Sequence, residues 1–273
     1  AERLGFDERD AGRVALVTTE LASNVLKHAT HGELHLRVLP RTSGFGIEIQ
    51  TIDRANGFDL HACLADGFSS AGTHGIGLGA ITRQAEVFDA YADDRGAVLM
   101  ARLYPRGDRE ADIRYGVSQH SLHDDPACGD TWHLAYSQGR ISALVIDGLG
   151  HGEEAEHASR AGAQAFTRAP FADPLLLMDD LHRDMSGSRG GAVAFSQFDA
   201  RNASLAFAGI GNIGACLINV EKSRGLVSHP GIVGVQYRKA RPFNYAQANG
   251  HLLIMYSDGL QSRWNLQDYP GLI

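Results

Sequence analysis

Cysteine is scarce in this chain: three in 273 residues, Cys63, Cys128 and Cys216, with no CxxC spacing. An odd, scattered count excludes a disulfide framework and suits a reducing, cytoplasmic compartment. No Cys or His cluster has zinc-ligand spacing. Runs of Lys or Arg are missing as well, and the formal net charge is −7. Both facts speak against nucleic acid, whose phosphates require a concentrated basic face, and against a charged membrane patch. Long apolar runs are lacking, so nothing spans a bilayer. Internal repeats and low-complexity tracts are absent too.

What is present is an ordinary globular balance, 44% hydrophobic and 21% charged, at a length that accommodates two domains. From Asp10 to Ala29 the apolar residues Val14, Val17, Leu21 and Val25 recur at helical spacing. Glu33–Leu39 and Gly46–Asp53 read as strands around a Pro40–Gly44 turn. A glycine-rich loop, Gly72–Gly79, runs into a short helix, Leu78–Ala85. Val87–Tyr91 and Ala97–Tyr104 then form a hairpin with Ala92–Gly96 as its loop. The charged stretch 105–114 reads as a linker. Beyond it, short strands are expected at Tyr115–Ser118, Trp132–Gln138, Ile141–Ile146, Ala192–Asp199, Ser204–Gly209, Ala215–Asn219 and His251–Ser257. Helices are expected at Glu153–Phe166 and Pro174–Met185. Strands in runs with helices between them predict an α+β protein with layered sheets.

Four features of the first part converge on a nucleotide. Glu20 and Asn24 lie one helical turn apart and project from one face. Asn24 offers a neutral oxygen to Mg²⁺, and Glu20 can orient or deprotonate a hydroxyl. Asp53 ends a strand ahead of Gly57 and can accept a hydrogen bond from an exocyclic amine such as that of adenine. Gly72–Gly79 brings backbone N–H groups to a helix N-terminus, where phosphate binds readily. Each piece alone is a common turn or a solvated helix edge; their order and spacing is more specific.

Residues 1–104 resemble the GHKL (Bergerat-type, histidine-kinase-like) ATP-binding domain, in the branch of anti-sigma-factor and stressosome serine kinases. Glu20–Ala29 resembles its N-box, Asp53–Gly57 its adenine box, and Gly75-Ile76-Gly77-Leu78-Gly79 its lid motif. The resemblance implies an α/β sandwich that binds ATP-Mg²⁺. Asn24 would hold Mg²⁺, Glu20 would be the catalytic base, and Asp53 would read adenine. Gly57, Gly75, Gly77 and Gly79 would complete the pocket. The family usually has glycine where Ala55 stands, and its first strand is missing here.

In the second part, aspartates recur beside glycines at strand ends: Asp130, Asp147 ahead of Gly148, and Asp258 ahead of Gly259. Mg²⁺ or Mn²⁺ takes carboxylate and carbonyl oxygens, and two such ions can activate a shared water toward a phosphoryl group. An Asp-Gly pair is commonly a turn. Asp147 and Asp258, however, each directly follow a buried apolar run, Ile141–Ile146 and Leu252–Tyr256. His151, inside the Asp147 loop, can act as a proton donor.

Residues 115–273 resemble the PP2C-type serine/threonine phosphatase domain, in its SpoIIE/RsbX-like branch. Asp147-Gly148-Leu149-Gly150-His151-Gly152, Gly190–Ala194, Gly209–Ile213 and Ser257-Asp258-Gly259-Leu260 carry the resemblance. It implies a β-sandwich flanked by helices, with two metal ions. Asp147 would be catalytic and bridge both ions, Gly148 would lend its carbonyl, and Asp130 and Asp258 would each ligate one ion. The family's final Asp-Asp pair has no counterpart after Asp258, Asp268 being a poor substitute. The domain is therefore expected to be cut short and to hold one ion more weakly.

Taken together these readings imply a bacterial phospho-switch regulator. One part would remove phosphate from Ser or Thr of a regulatory protein, expected by resemblance to be an anti-sigma-factor antagonist of STAS type. The other would bind ATP and phosphorylate or hold that partner. The alternative is a non-catalytic scaffold that docks such partners through two degenerate domains.

Overall fold

The computed structural model describes residues 1–41, 44–54, 77–107, 114–122, 125–219, 221–260 and 264. The chain divides into two compact units, Ala1–Ile113 and Arg114–Ile273.

Among the described residues, the first unit packs two α-helices on one antiparallel sheet. Helix α1 (Glu8–His28) starts at Asp7, whose side chain accepts the Asp10 N–H and satisfies one of the open donors of the first turn. Strands β1 (His31–Arg41) and β2 (Gly44–Arg54) are followed by helix α2 (Gly77–Gln84) and strands β3 (Val87–Asp93) and β4 (Gly96–Leu103). The sheet order is β1-β2-β4-β3, antiparallel throughout. Val17 and Leu21 of α1 and Ile81 of α2 bury against Ile47, Ile49, Leu99, Ala101 and Leu103. The alternate positions of the same strands carry charge. Glu48 sits in register between Arg37 and Arg102. It accepts hydrogen bonds from Arg37 at 2.9 Å and from Arg102 Nε at 2.9 Å. Both Glu48 (3% exposed) and Arg102 (2%) are buried, so each needs the other's charge.

The Pro40–Gly44 turn is narrower than the sequence predicts, because β1 continues through Pro40 and Arg41. The β3–β4 loop shrinks to Asp94-Arg95: Asp93 Oδ1 accepts the Arg95 N–H at 2.9 Å and closes the turn with fewer residues.

The second unit is layered. Strands β5 (Asp130–Ser137) and β6 (Arg140–Gly148) lead to helices α3 (Glu153–Arg168) and α4 (Pro174–Met185). Then come β7 (Gly191–Asp199), β8 (Ser204–Ile210) and β9 (Gly214–Ile218). The short strands β10 (Ser223–Gly225), β11 (Gly231–Ile232), β12 (Gln236–Tyr237) and β13 (Phe243–Tyr245) precede β14 (Leu252–Tyr256). A five-stranded sheet runs β13-β8-β7-β6-β5, a three-stranded sheet β10-β9-β14, and β11 pairs with β12. The two-residue period of β7 separates two cores. Val193 and Phe195 face Phe166, Leu177, Leu181 and Met185 of the helices, while Ala192 and Ala194 join Phe207, Ile213 and Leu217 on the other side. The fold is thus α+β, with helices covering one face of the larger sheet.

Residues 115–118 correct the sequence expectation of a strand, for they form no ladder. Side chains hold this segment instead: the Tyr115 ring lies 6.2 Å from that of Trp132, and Gln119 Nε2 donates to the Asp130 carbonyl at 2.8 Å. The short strands from 223 to 245 were not legible, since none carries an apolar run long enough to show a period.

Candidate functional site

The structure brings Asp130, Asp147 and Asp258 of the second unit together. Asp130 opens β5, and Asp147 is the penultimate residue of β6, inside the strand rather than after it. The antiparallel register sets the two directly opposite. Like charges at that position destabilise a strand pair, so the arrangement needs a reason beyond folding. Asp258 follows β14 and reaches the same place. Burial, then the charges of Asp130 and Asp258, and a hydrogen bond with Asp130 push the Asp147 carboxyl up to about 6. Every side chain acting on it is acidic.

Oxygen donors and net negative charge of this kind fit a hard divalent ion. Among the described residues, no three His, Cys, Asp or Glu side chains are gathered as tightly as a ligand set. Charge coupling acts over a longer range than ligation, so the aspartates share a neighbourhood without forming a closed coordination shell.

Glycines make the close packing possible. The ladder continues past the two aspartates as Gly148 N–H donating to the Gly129 carbonyl at 3.0 Å. A Cβ on Gly148 would fall 2.2 Å from the Ala155 carbonyl oxygen, at the start of α3. His151 is exposed in the loop between β6 and α3.

Two further residues hold the carboxylates. The Ser257 hydroxyl donates to Asp130 Oδ2 at 2.6 Å, and Asn212 Nδ2 donates to Asp258 Oδ2 at 3.4 Å. Both lie within motif strings visible in the sequence, but nothing in sequence spacing tells which carboxylate each one orients. A cavity of about 490 Å³ borders Asp130 and Ser257, lined mainly by Trp132, Leu134, Val145, Leu253 and Met255.

In the first unit, Glu20 and Asn24 are half-buried on one stripe of α1 that ends at His28. Asp53 pairs with Ala97 at the end of β2. Burial raises its carboxyl above the usual range, against the lowering pull of the Ala97 N–H and of His28. The His28 contribution ties the end of the α1 stripe to Asp53. Gly77 and Gly79 fall in the first turn of α2, one residue earlier than the expected helix start. Ala55, Gly57, Gly75 and the rest of the 55–76 stretch lie outside the described residues, as does Asp268. Among the described residues no helix is long and apolar enough to cross a membrane.

No family model matches the chain. The serine/threonine-protein kinase RsbT of Bacillus subtilis is 30% identical over 89 residues, 32% of this chain and 67% of RsbT. Among solved structures, RsbX in complex with magnesium aligns with a TM-score of 0.50 at 19% identity, covering 52% of this chain and 72% of that one. The PP2C phosphatase domain of Bacillus subtilis SpoIIE, with a fragment of its regulatory domain, aligns with a TM-score of 0.50 at 15% identity. That alignment covers 96% of this chain and 76% of the other. The chain belongs to the RsbT family of serine/threonine-protein kinases and joins that kinase-type part to a unit with the PP2C phosphatase fold.

Proposed function

We propose that this chain is a phospho-switch regulator whose second unit is a metal-dependent phosphoserine/phosphothreonine protein phosphatase and whose first unit binds ATP-Mg²⁺. The observation that carries the reading is Asp130 facing Asp147 across one strand pair, with Asp258 beside them and the Asp147 carboxyl pushed up to about 6. Two facing carboxylates with the charge of a third acting on them are unfavourable by themselves, and a divalent ion that takes oxygen ligands would offset that cost.

In this reading Asp130, Asp147 and Asp258, with the Gly148 carbonyl, hold Mg²⁺ or Mn²⁺. Such ions supply Lewis acidity toward the phosphoryl group and a water activated for attack on phosphorus. The chain's own residues do the rest. Ser257 fixes Asp130 and Asn212 fixes Asp258, so that the carboxylates present their free oxygens in a set direction. The cavity beside Asp130 offers apolar walls to side chains flanking a phosphorylated residue. In the first unit, Asp53 would accept the adenine amine, Asn24 would hold Mg²⁺, and Glu20 would take the proton of a partner's hydroxyl. The magnesium bound to RsbX, a protein with a similar fold, and the kinase relative RsbT support this assignment. A partner bearing one reversible phosphoserine or phosphothreonine, of the anti-sigma-factor antagonist type, would be the common substrate of both units.

The deciding experiment is turnover of an aryl phosphate with Mn²⁺ by the wild-type chain and by Asp147→Asn. Activity confined to the wild type and lost on chelation is the expected result. Equal turnover by both proteins would remove the metal mechanism.

A further inference from the structure

The strand end that carries Asp147 is held from two sides by different elements. Asp147 and Gly148 of β6 pair with Ala192 and Gly191 of β7. Among the described residues, β7 pairs on its other side with β8 only from Val193 onward. At Gly191 the place of β8 is taken by Val233. The Gly191 N–H donates to the Val233 carbonyl at 3.0 Å, and the Val233 N–H donates to the Gly191 carbonyl at 2.9 Å. The packing here is close: a Cβ on Gly191 would meet the Asp147 carbonyl oxygen at 2.4 Å, and one on Gly190 would meet that of Val233 at 2.4 Å.

Val233 lies in the turn between β11 and β12, a hairpin of two residue pairs that is too short to hold itself in place. Helix α4 holds it. The Gly234 N–H donates to His182 Nδ1, in the last turn of α4, at 2.9 Å. Gly234 has φ +87°, and a Cβ there would fall 2.7 Å from the Met185 carbonyl oxygen, so the turn approaches the helix backbone as only glycine can. Tyr237 of β12 stands edge-on to the His182 ring at 5.0 Å and donates its hydroxyl to Asp179 Oδ1 at 3.1 Å. Burial, then the hydrogen bond and charge of Asp179, push the phenol up to about 12, so it stays a donor at neutral pH. A continuous line of direct contacts thus runs from His182 through Gly234, Val233 and Gly191 to the backbone of Asp147 and Gly148.

We propose that His182 is a positioning residue for the metal site: by accepting the Gly234 N–H it holds Val233 against Gly191 and so fixes the Asp147–Gly148 backbone from across β7. The proposal rests on the phosphatase reading above, in which the Asp147 carboxylate and the Gly148 carbonyl are ligands. His182 itself touches neither ion nor substrate. Oxygen ligands bind a hard ion within narrow distance limits, so a strand end free to shift loses affinity without losing the fold. Asparagine offers an amide oxygen near the position of Nδ1, whereas alanine offers no acceptor.

Hydrogen exchange and Mn²⁺ titration on the full chain test this. In metal-free protein, His182→Ala should speed exchange of the Gly191, Val233 and Gly234 amides at least about 10-fold and leave that of Phe195, inside the sheet, as in wild type. Mn²⁺ affinity should fall about 10- to 100-fold. At fixed Mn²⁺, kcat for an aryl phosphate should fall with KM nearly unchanged. His182→Asn should restore most of each property. Leu177→Val, which thins the core under the same helix, should lower the melting temperature and keep Mn²⁺ affinity. Unchanged exchange at Gly191 and Val233 in His182→Ala overturns the role of His182, as does a loss of Mn²⁺ affinity in Leu177→Val equal to that in His182→Ala. Wild type that binds no Mn²⁺ overturns the phosphatase reading instead, and the exchange rates, read without metal, tell the two failures apart.

Discussion

Asp130 and Asp147 face each other across the β5–β6 pair, two carboxylates where a strand pair is stabilised by opposite charges or apolar contact. Ser257 holds one of them from a third strand end, and burial together with acidic neighbours raises the other. The local cost of this arrangement makes it measurable.

The clearest consequence is for Asp147→Asn. The folded Asp147 carboxyl lies near 6, above its ordinary 3.8, so the folded state binds the proton more tightly than the unfolded chain does. Its destabilising effect is absent at low pH, grows as pH rises from about 4 to 6, and is complete above 6. The substitution should therefore stabilise the metal-free protein above pH 6 by about 1 kcal/mol, discounted because the group is half-exposed. Melting curves in chelator from pH 4 to 8 check this. No gain above pH 6 contradicts it.

Ser257→Ala removes the 2.6 Å hydrogen bond to Asp130 Oδ2. A ligand carboxylate that loses its orienting donor weakens metal binding by about 10- to 100-fold. Mn²⁺ titration should show that loss while the melting temperature changes little.

At Gly191 a methyl group would meet the Asp147 carbonyl oxygen at 2.4 Å. Gly191→Ala must push β7 from β6 at the aspartate itself. We expect about 2–4 kcal/mol of destabilisation together with lost Mn²⁺ affinity, read by denaturant unfolding and calorimetry. A variant as stable as wild type would show that the strand ends yield more freely than their packing implies.

In the first unit, Arg102→Met strips Glu48 Oε2 of its Arg102 donors and leaves Arg37 on Oε1. Breaking one side of so buried a pair should cost about 2–4 kcal/mol. Replacing Glu48 by Gln in the same chain should recover part of that cost in a double-mutant cycle.

Asp53→Ala tests the nucleotide site. The half-buried carboxyl is already raised by its surroundings, so removing it should leave the melting temperature unchanged or higher. Calorimetry with ATP-Mg²⁺ should show affinity reduced at least about 10-fold, the loss expected for a charged hydrogen-bond acceptor. Unchanged nucleotide binding would exclude Asp53 as the adenine reader.

Much of the fold was legible from pattern alone. α4 spans Pro174–Met185 in sequence and structure alike, because Asp173 caps it and proline starts it. β6 and β7 announce themselves by continuous apolar runs, as strands buried on both faces do. Residues 115–118 misled because their alternation resembles a strand, while side-chain anchors to Trp132 and Asp130 hold them outside any ladder.

The sequence by itself pointed to two parts, marked the helices and main strands, and singled out three aspartates as candidate ligands, since periodicity and residue chemistry are local properties. Only the tertiary structure decided that Asp130 stands opposite Asp147 and that Ser257 and Asn212 hold carboxylates. These relationships depend on strand register and on contacts between residues distant in the chain. Register is fixed by which faces bury apolar surface, a property of the whole packed unit.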